Sequence, residues 1–171
     1  MATSLSALGI IHSTLSLLPV IAGAYAFRQY GRIIPDLASG RCYQYGLLAS
    51  VLTSFGLSST GGFTTGHALG LIALAAIAVG RSAPRLRRLG KAREYLQVSA
   101  MSFSYLVLMI PGLNETLSRL PVGNPIGNGP ESPQVKAAVF IAGVIFVVGL
   151  SYQLLRLRGQ RAHLQHATPH H

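Results

Sequence analysis

The chain has 171 residues, half of them hydrophobic and only 11% charged, with a net charge of +10 at neutral pH. A soluble domain carries about a quarter charged residues, so this balance, with a mean hydropathy of +0.44, argues against a water-soluble fold and for an integral membrane protein. Cys42 is the single cysteine, which excludes a disulfide framework within the chain.

The apolar residues gather into five runs, roughly 4–27, 43–58, 61–80, 96–112 and 135–155. Each approaches the ~20 residues that cross a ~30 Å hydrocarbon layer, the second being short. The expectation is one all-α domain, a bundle of about five transmembrane helices. Its basic residues fall in alternate connections: Arg28, Arg32 and Arg41; then Arg81, Arg85, Arg87, Arg88, Lys91 and Arg93; then Arg156, Arg158 and Arg161. Only Arg119 and Lys136 lie opposite, so the positive-inside rule predicts the N-terminus outside and the C-terminus in the cytoplasm. Tyr25, Tyr30, Tyr43, Tyr45, Tyr95 and Tyr152 fall near the same inner boundary, as an aromatic belt does. The charge therefore reads as topology with attraction to anionic inner-leaflet lipids, and not as a nucleic-acid surface.

In chain order, the first span carries His12 about two turns from its outer end and Pro19 as a bend. It closes on Ala22-Gly-Ala-Tyr-Ala26, a small-residue pattern like a signal-peptide cleavage site, but no Lys or Arg precedes the long apolar run. Pro35-Asp36 predicts a turn before the second span, whose Gly46, Ser50, Thr53, Ser54 and Gly56 are residue types found at helix contacts in membranes. The third span is the difficult one. Started at His67 it would hold too few residues before Arg81, so span length places its start near Gly61, with Ser59 or Thr60 as N-cap and a turn at Ser58 to Thr60. Gly62, Gly66 and Gly70 then form a tandem G-x-x-x-G packing seam on one helix face.

The basic connection 81–94 spaces Leu86 and Leu89 three apart, as either a short amphipathic piece on the inner surface or a solvated loop. In the fourth span Ser99 and Ser102 share a face, and Pro111-Gly112 predicts its end. Residues 113–134 then read as an outer amphipathic segment, with Leu113, Leu117 and Leu120 on one face and Glu115 four before Arg119, followed by a Gly/Pro/Asn-rich loop. Asn114-Glu-Thr116 matches a glycosylation sequon. The fifth span is the cleanest, and 156–171 form a polar cytoplasmic tail ending in His163, His166, His170 and His171.

Ionisable groups inside membrane spans are the default functional candidates, and here they are His12 and His67. Counted along their predicted helices they lie ~12 Å and ~9 Å from the outer ends. Three readings stay open. Each ring can hydrogen-bond a hydroxyl or backbone group and fix packing; the two can be axial ligands of a b-type haem, with Gly66 and Gly70 making room; or they can form a metal or small-ligand site with Glu115 folded over the mouth. The chain has no Cys cluster, H-E-x-x-H, P-loop or G-x-S-x-G motif. Its four acids, Asp36, Glu94, Glu115 and Glu131, all sit in predicted connections, which disfavours a cation-coupled carrier.

The order of His12, Gly40-Arg41-x-Tyr43, Gly61-Gly-Phe63 and Arg93-Glu-Tyr95 resembles bacterial "predicted membrane protein" families of unknown function over roughly residues 8–121. The resemblance implies a small four- or five-helix bundle of the bacterial inner membrane. The expectation is a non-enzymatic binding or accessory protein for a lipid-like ligand or a membrane protein partner at the outer half of the bilayer. A single-haem redox protein using His12 and His67 is the alternative.

Overall fold

A computed structural model of the chain describes residues 7–57, 62–121 and 123–166. Among them are five α-helices and no strand: α1 Ala7–Tyr30, α2 Ala38–Leu57, α3 Thr65–Ser82, α4 Ala92–Arg119 and α5 Pro133–His166. Two single 3-10 turns, Ala83–Arg85 and Arg87–Leu89, lead from α3 to α4. Leu86 and Leu89 on this connection are exposed.

Four helices, α1, α3, α4 and α5, are long and apolar enough to cross a membrane. The exception is α2, and length is not the reason, since its 20 residues reach ~30 Å at 1.5 Å per residue. Composition is: Ser39, Arg41, Gln44, Ser50, Thr53 and Ser54 interrupt its apolar run. Yet α2 supplies much of the core, with Tyr43, Leu47 and Val51 buried. It packs along α1 and touches α3, α3 packs along α4, and α5 lies against α4.

Small residues set how closely these helices approach. A side chain on Gly46 of α2 would press on Leu18 and Pro19 of α1, one on Gly70 of α3 on Val51 of α2, and one on Gly80 of α3 on Met101 of α4. The expected glycine seam of α3 is therefore corrected. Gly62 precedes the helix, Gly66 meets only Thr64 of its own segment, and Gly70 alone meets a neighbouring helix. The turn expected at Ser58 to Thr60 lies outside the described residues.

Two boundaries also differ from expectation. The helix α4 continues through Pro111-Gly112 to Arg119 instead of stopping. Proline removes one backbone hydrogen bond, but Thr116 Oγ1 donates to the Gly112 carbonyl at 2.7 Å and Glu115 pairs with Arg119 at 2.7 Å, which holds the last turns. Residues 113–119 are thus the C-terminal end of a 28-residue helix, not a separate surface piece. At its other end the fifth span runs on helically through the basic tail to His166. The apolar middle of α5 buries nothing inside the protein; Phe140, Ile145, Val148 and Leu155 are all well over half exposed, a surface suited to lipid and not to water.

The tightest approach is at Gly40, where the chain 31–37 folds back over the first turn of α2. A Cβ there would run into the Ile34 carbonyl, which is backbone and cannot swing aside. Gly40→Ala is therefore expected to destabilise the purified protein by about 3 kcal/mol. Gly112→Ala, where a Cβ meets nothing, should leave the detergent melting curve unchanged or slightly raised. Equal melting of both variants would contradict the packing described for Gly40.

Candidate functional site

The two histidines both turn to the last turns of α2, and they do so at adjacent residues. His12 Nδ1 lies 2.9 Å from Thr53 Oγ1. The Thr53 hydroxyl has one proton and directs it at the Ala49 and Ser50 carbonyls, 2.9 and 3.0 Å away, so the imidazole is the donor. The His12 carbonyl in turn accepts from Ser16 Oγ.

His67 makes a double connection. At the start of α3, the Thr64 side chain accepts from the His67 amide while the Thr64 backbone N–H donates to His67 Nδ1 at 3.1 Å, a reciprocal capping box in which histidine stands where Glu or Gln usually does. With Nδ1 accepting, Nε2 carries the proton and donates to the Ser54 carbonyl at 3.1 Å. That carbonyl is one of the last four of α2, which a helix cannot satisfy internally. Phe55 stacks on the ring, with centroids 4.3 Å apart and planes within 9°. His67 thus closes the start of one helix and the end of another, and both ring nitrogens are engaged.

Span length misplaced this site. Thr64, not Ser59 or Thr60, is the N-cap, and the Thr64-x-x-His67 spacing is the signal that could have shown it. The length missing at the front is recovered at the back: the candidate span runs from Thr65 past Arg81 to Arg85. Arg81 is tolerated inside it because its guanidinium donates to Gln44 Oε1 at 3.1 Å.

Glu115 does not join the histidines as a third ligand. It sits on α4 at the same end of the bundle, within electrostatic range of His12, but its carboxylate pairs with Arg119 and both are more than half exposed. Among the described residues no group of three or more His, Cys, Asp or Glu side chains is placed to hold a metal ion. The expected His12, His67 and Glu115 set is therefore not assembled. The physical reason is α2: it takes one histidine from α1 and the other from α3, giving each its own partner. The rings of His163 and His166 and all of His170 and His171 lie outside the described residues.

Sequence reasoning passed over the polar groups at the opposite end. Gln44, buried, donates to the Pro35 and Gly40 carbonyls at 2.9 Å each while accepting from Arg81. Deeper in the bundle Tyr43 and Ser104 hydroxyls bond at 2.8 Å, and the Tyr105 hydroxyl donates to the Val20 carbonyl of α1 at 3.2 Å. A glutamine inside an apolar run signals such a site, since it must find partners for every donor and acceptor.

One concave surface lies near the C-terminal end of α4 and the start of α5. A groove of about 410 Å³ lies between α4 and α5, lined by Ile110, Val135, Val139 and Phe140, with Asn114 and Lys136 as its polar residues. Lys136 bonds Glu131 at 2.7 Å, and this hydrogen bond, with the ammonium charge, holds the Glu131 carboxyl below its ordinary range. Compared with family models, curated proteins and solved structures, the chain shows no significant match to any.

Because each histidine has its own partner, their losses should be independent. His67→Ala leaves both Thr64 N–H and the Ser54 carbonyl unpaired and is expected to cost roughly 2–4 kcal/mol. His12→Ala should cost about 1 kcal/mol, since Thr53 keeps its backbone partners, and His67→Gln should recover part of the capping-box term. Unfolding of the double variant should equal the two single losses within about 0.5 kcal/mol; strong coupling between them would point to a shared bound group instead.

Proposed function

We propose that the protein crosses the bacterial inner membrane five times, N-terminus outside and C-terminus cytoplasmic. In this reading it is a non-enzymatic binding protein for a lipid-like amphiphile held between α4 and α5 in the outer half of the bilayer. The observation that carries the ligand class is the groove's division of chemistry. Its wall is Ile110, Val135, Val139 and Phe140, and its polar groups are an amide, Asn114, and an ammonium, Lys136, near the end of the helices. An apolar tail with a polar head matches that division, and about 410 Å³ falls within the range of small-molecule sites.

The five crossings are supported by α2. It runs antiparallel to α1 over the length of a span, with His12 beside Thr53 at one end and Tyr43 beside Gly23 towards the other. Its neighbours supply partners for the polar groups that a solitary helix would expose to lipid. The basic ends of α1, α3 and α5, with the connection to α4, gather at one end of the bundle, the arrangement that the positive-inside rule assigns to the cytoplasm. The same charge favours anionic inner-leaflet lipids as neighbours.

Two measurements test the reading. Reporter fusions after Phe63 and Gly129 should lie outside and a fusion after Gly90 inside; Phe63 and Gly90 on the same side would refute a crossing by α3. Solvent extraction and mass spectrometry of the protein purified in mild detergent should recover a retained amphiphile that Val139→Trp, which fills the groove, removes. Identical recovery from wild type and Val139→Trp would refute the groove as the site.

A further inference from the structure

A second concavity lies at the opposite end of the bundle, between the turn that follows α1 and the far end of α5. It encloses about 170 Å³, and its lining includes Tyr30, Arg32, Tyr152, Gln153 and Arg156. The turn is made at Gly31, whose φ of +71° is the left-handed region that glycine adopts without strain. The absence of a side chain matters too, because a Cβ there would come within 3.0 Å of Arg156 Nη1. Ile33 and Leu157 are buried on either side of this junction and fix the turn against α5.

The charge inside the cleft is uncompensated. Among the described residues neither Arg32 nor Arg156 has an ion-pair partner, and no acidic side chain lines the cleft. Gln153 accepts from Ser102 Oγ through its side-chain oxygen at 2.8 Å, so the group it has left to offer is an N–H donor. Two guanidiniums, an amide donor and tyrosine hydroxyls make a set built to receive an oxyanion, because guanidinium pairs phosphate through parallel N–H bonds. The volume is below the ~300 Å³ at which drug-sized sites begin, so it suits a phosphate and its ester oxygens and not a whole amphiphile.

Depth selects the source of the phosphate. The cleft sits where the apolar run of α1 gives way to Arg28 and Arg32 and that of α5 gives way to Arg156, which is the level of lipid head groups when those helices span the bilayer. Tyr30 and Tyr152 are exposed at its edge, and exposed Leu155 continues along α5 for an acyl chain to follow. We propose that this cleft holds the phosphate of an anionic phospholipid head group between Arg32 and Arg156. The proposal rests on the membrane-crossing reading above but not on the α4/α5 groove. Failure of that reading would show in the reporter fusions, whereas failure of the cleft shows only in lipid binding.

The test is lipid binding to the full-length protein in neutral detergent, read by native mass spectrometry with phosphatidylglycerol, phosphatidylcholine and inorganic phosphate as probes. Phosphatidylglycerol should bind more tightly than phosphatidylcholine. Arg32→Gln with Arg156→Gln should weaken phosphatidylglycerol at least about a hundredfold, from the loss of a direct charge-assisted hydrogen bond at each position. Arg87→Gln with Arg88→Gln removes the same charge at the same end and should change it less than about twofold, there being no charged bilayer to attract. Arg32→Lys with Arg156→Lys keeps the charge and guards against a folding defect; it should still lose affinity, because lysine lacks the two-pronged geometry. Equal loss from the two glutamine pairs, or no loss from the lysine pair, overturns the site. Displacement of phosphatidylglycerol by millimolar inorganic phosphate overturns the lipid as its source.

Discussion

The structure depends on fitting a comparatively polar helix, α2, against the apolar helices α1 and α3. By composition α2 falls short of a membrane span, yet Tyr43, Leu47 and Val51 place it in the core. In hydrocarbon an unpaired polar group costs several kcal/mol, so each of its groups must be met by a neighbour. The neighbours provide: His12 from α1 meets Thr53, His67 from α3 meets the Ser54 carbonyl, Arg81 from α3 meets Gln44, and Ser104 from α4 meets Tyr43. Of the side-chain polar atoms buried among the described residues, only the Oγ of Ser39, in the first turn of α2, lacks a partner.

This arrangement accounts for features that otherwise read as unrelated. Gly46 and Gly70 are small because α1 and α3 must come close enough to α2 for these bonds to form. Arg81 in the last turn of α3 is received by Gln44, and Gln44 in turn ties down the turn at Pro35 and the first turn of α2. By contrast, α5 contributes little to the core, leaving most of its apolar surface outward. Both concave surfaces lie along α5, one near each end. The division is physical: the α1 to α4 core is tied by hydrogen bonds between helices, and the concave surfaces lie at the margin where α5 leans on it.

Much of this was legible in the sequence, and the misreadings share a cause. Helix number and class follow from apolar runs, whose cost in water is additive and local. The segregation of basic residues follows likewise, since it needs only order along the chain. Span length alone is too strict a guide, however. It pushes the start of α3 back to Gly61 and overrides the Thr64-x-x-His67 cap, because Arg81 marks a boundary in the sequence, while in the structure it stands in the last turn of α3 with Gln44, 37 residues away in sequence, as its partner. Pro111 was read as a stop because its missing bond is visible in sequence, while the Thr116 and Arg119 contacts that offset it are weak signals one at a time. The destination of each histidine could not be read, since Thr53 and Ser54 are consecutive residues serving different helices, and only their direction around α2 separates the two.

The central claim is that His12 and His67 are partners of α2, with the proton on each engaged ring nitrogen fixed by what that nitrogen bonds. Imidazole nitrogen-15 spectra of the full-length protein in lipid nanodiscs test it directly. The account predicts His67 with a protonated Nε2 and an accepting Nδ1, and His12 with a protonated Nδ1. A His67 that is doubly protonated, that carries its proton on Nδ1, or whose nitrogen signals are shifted by a bound metal would contradict it.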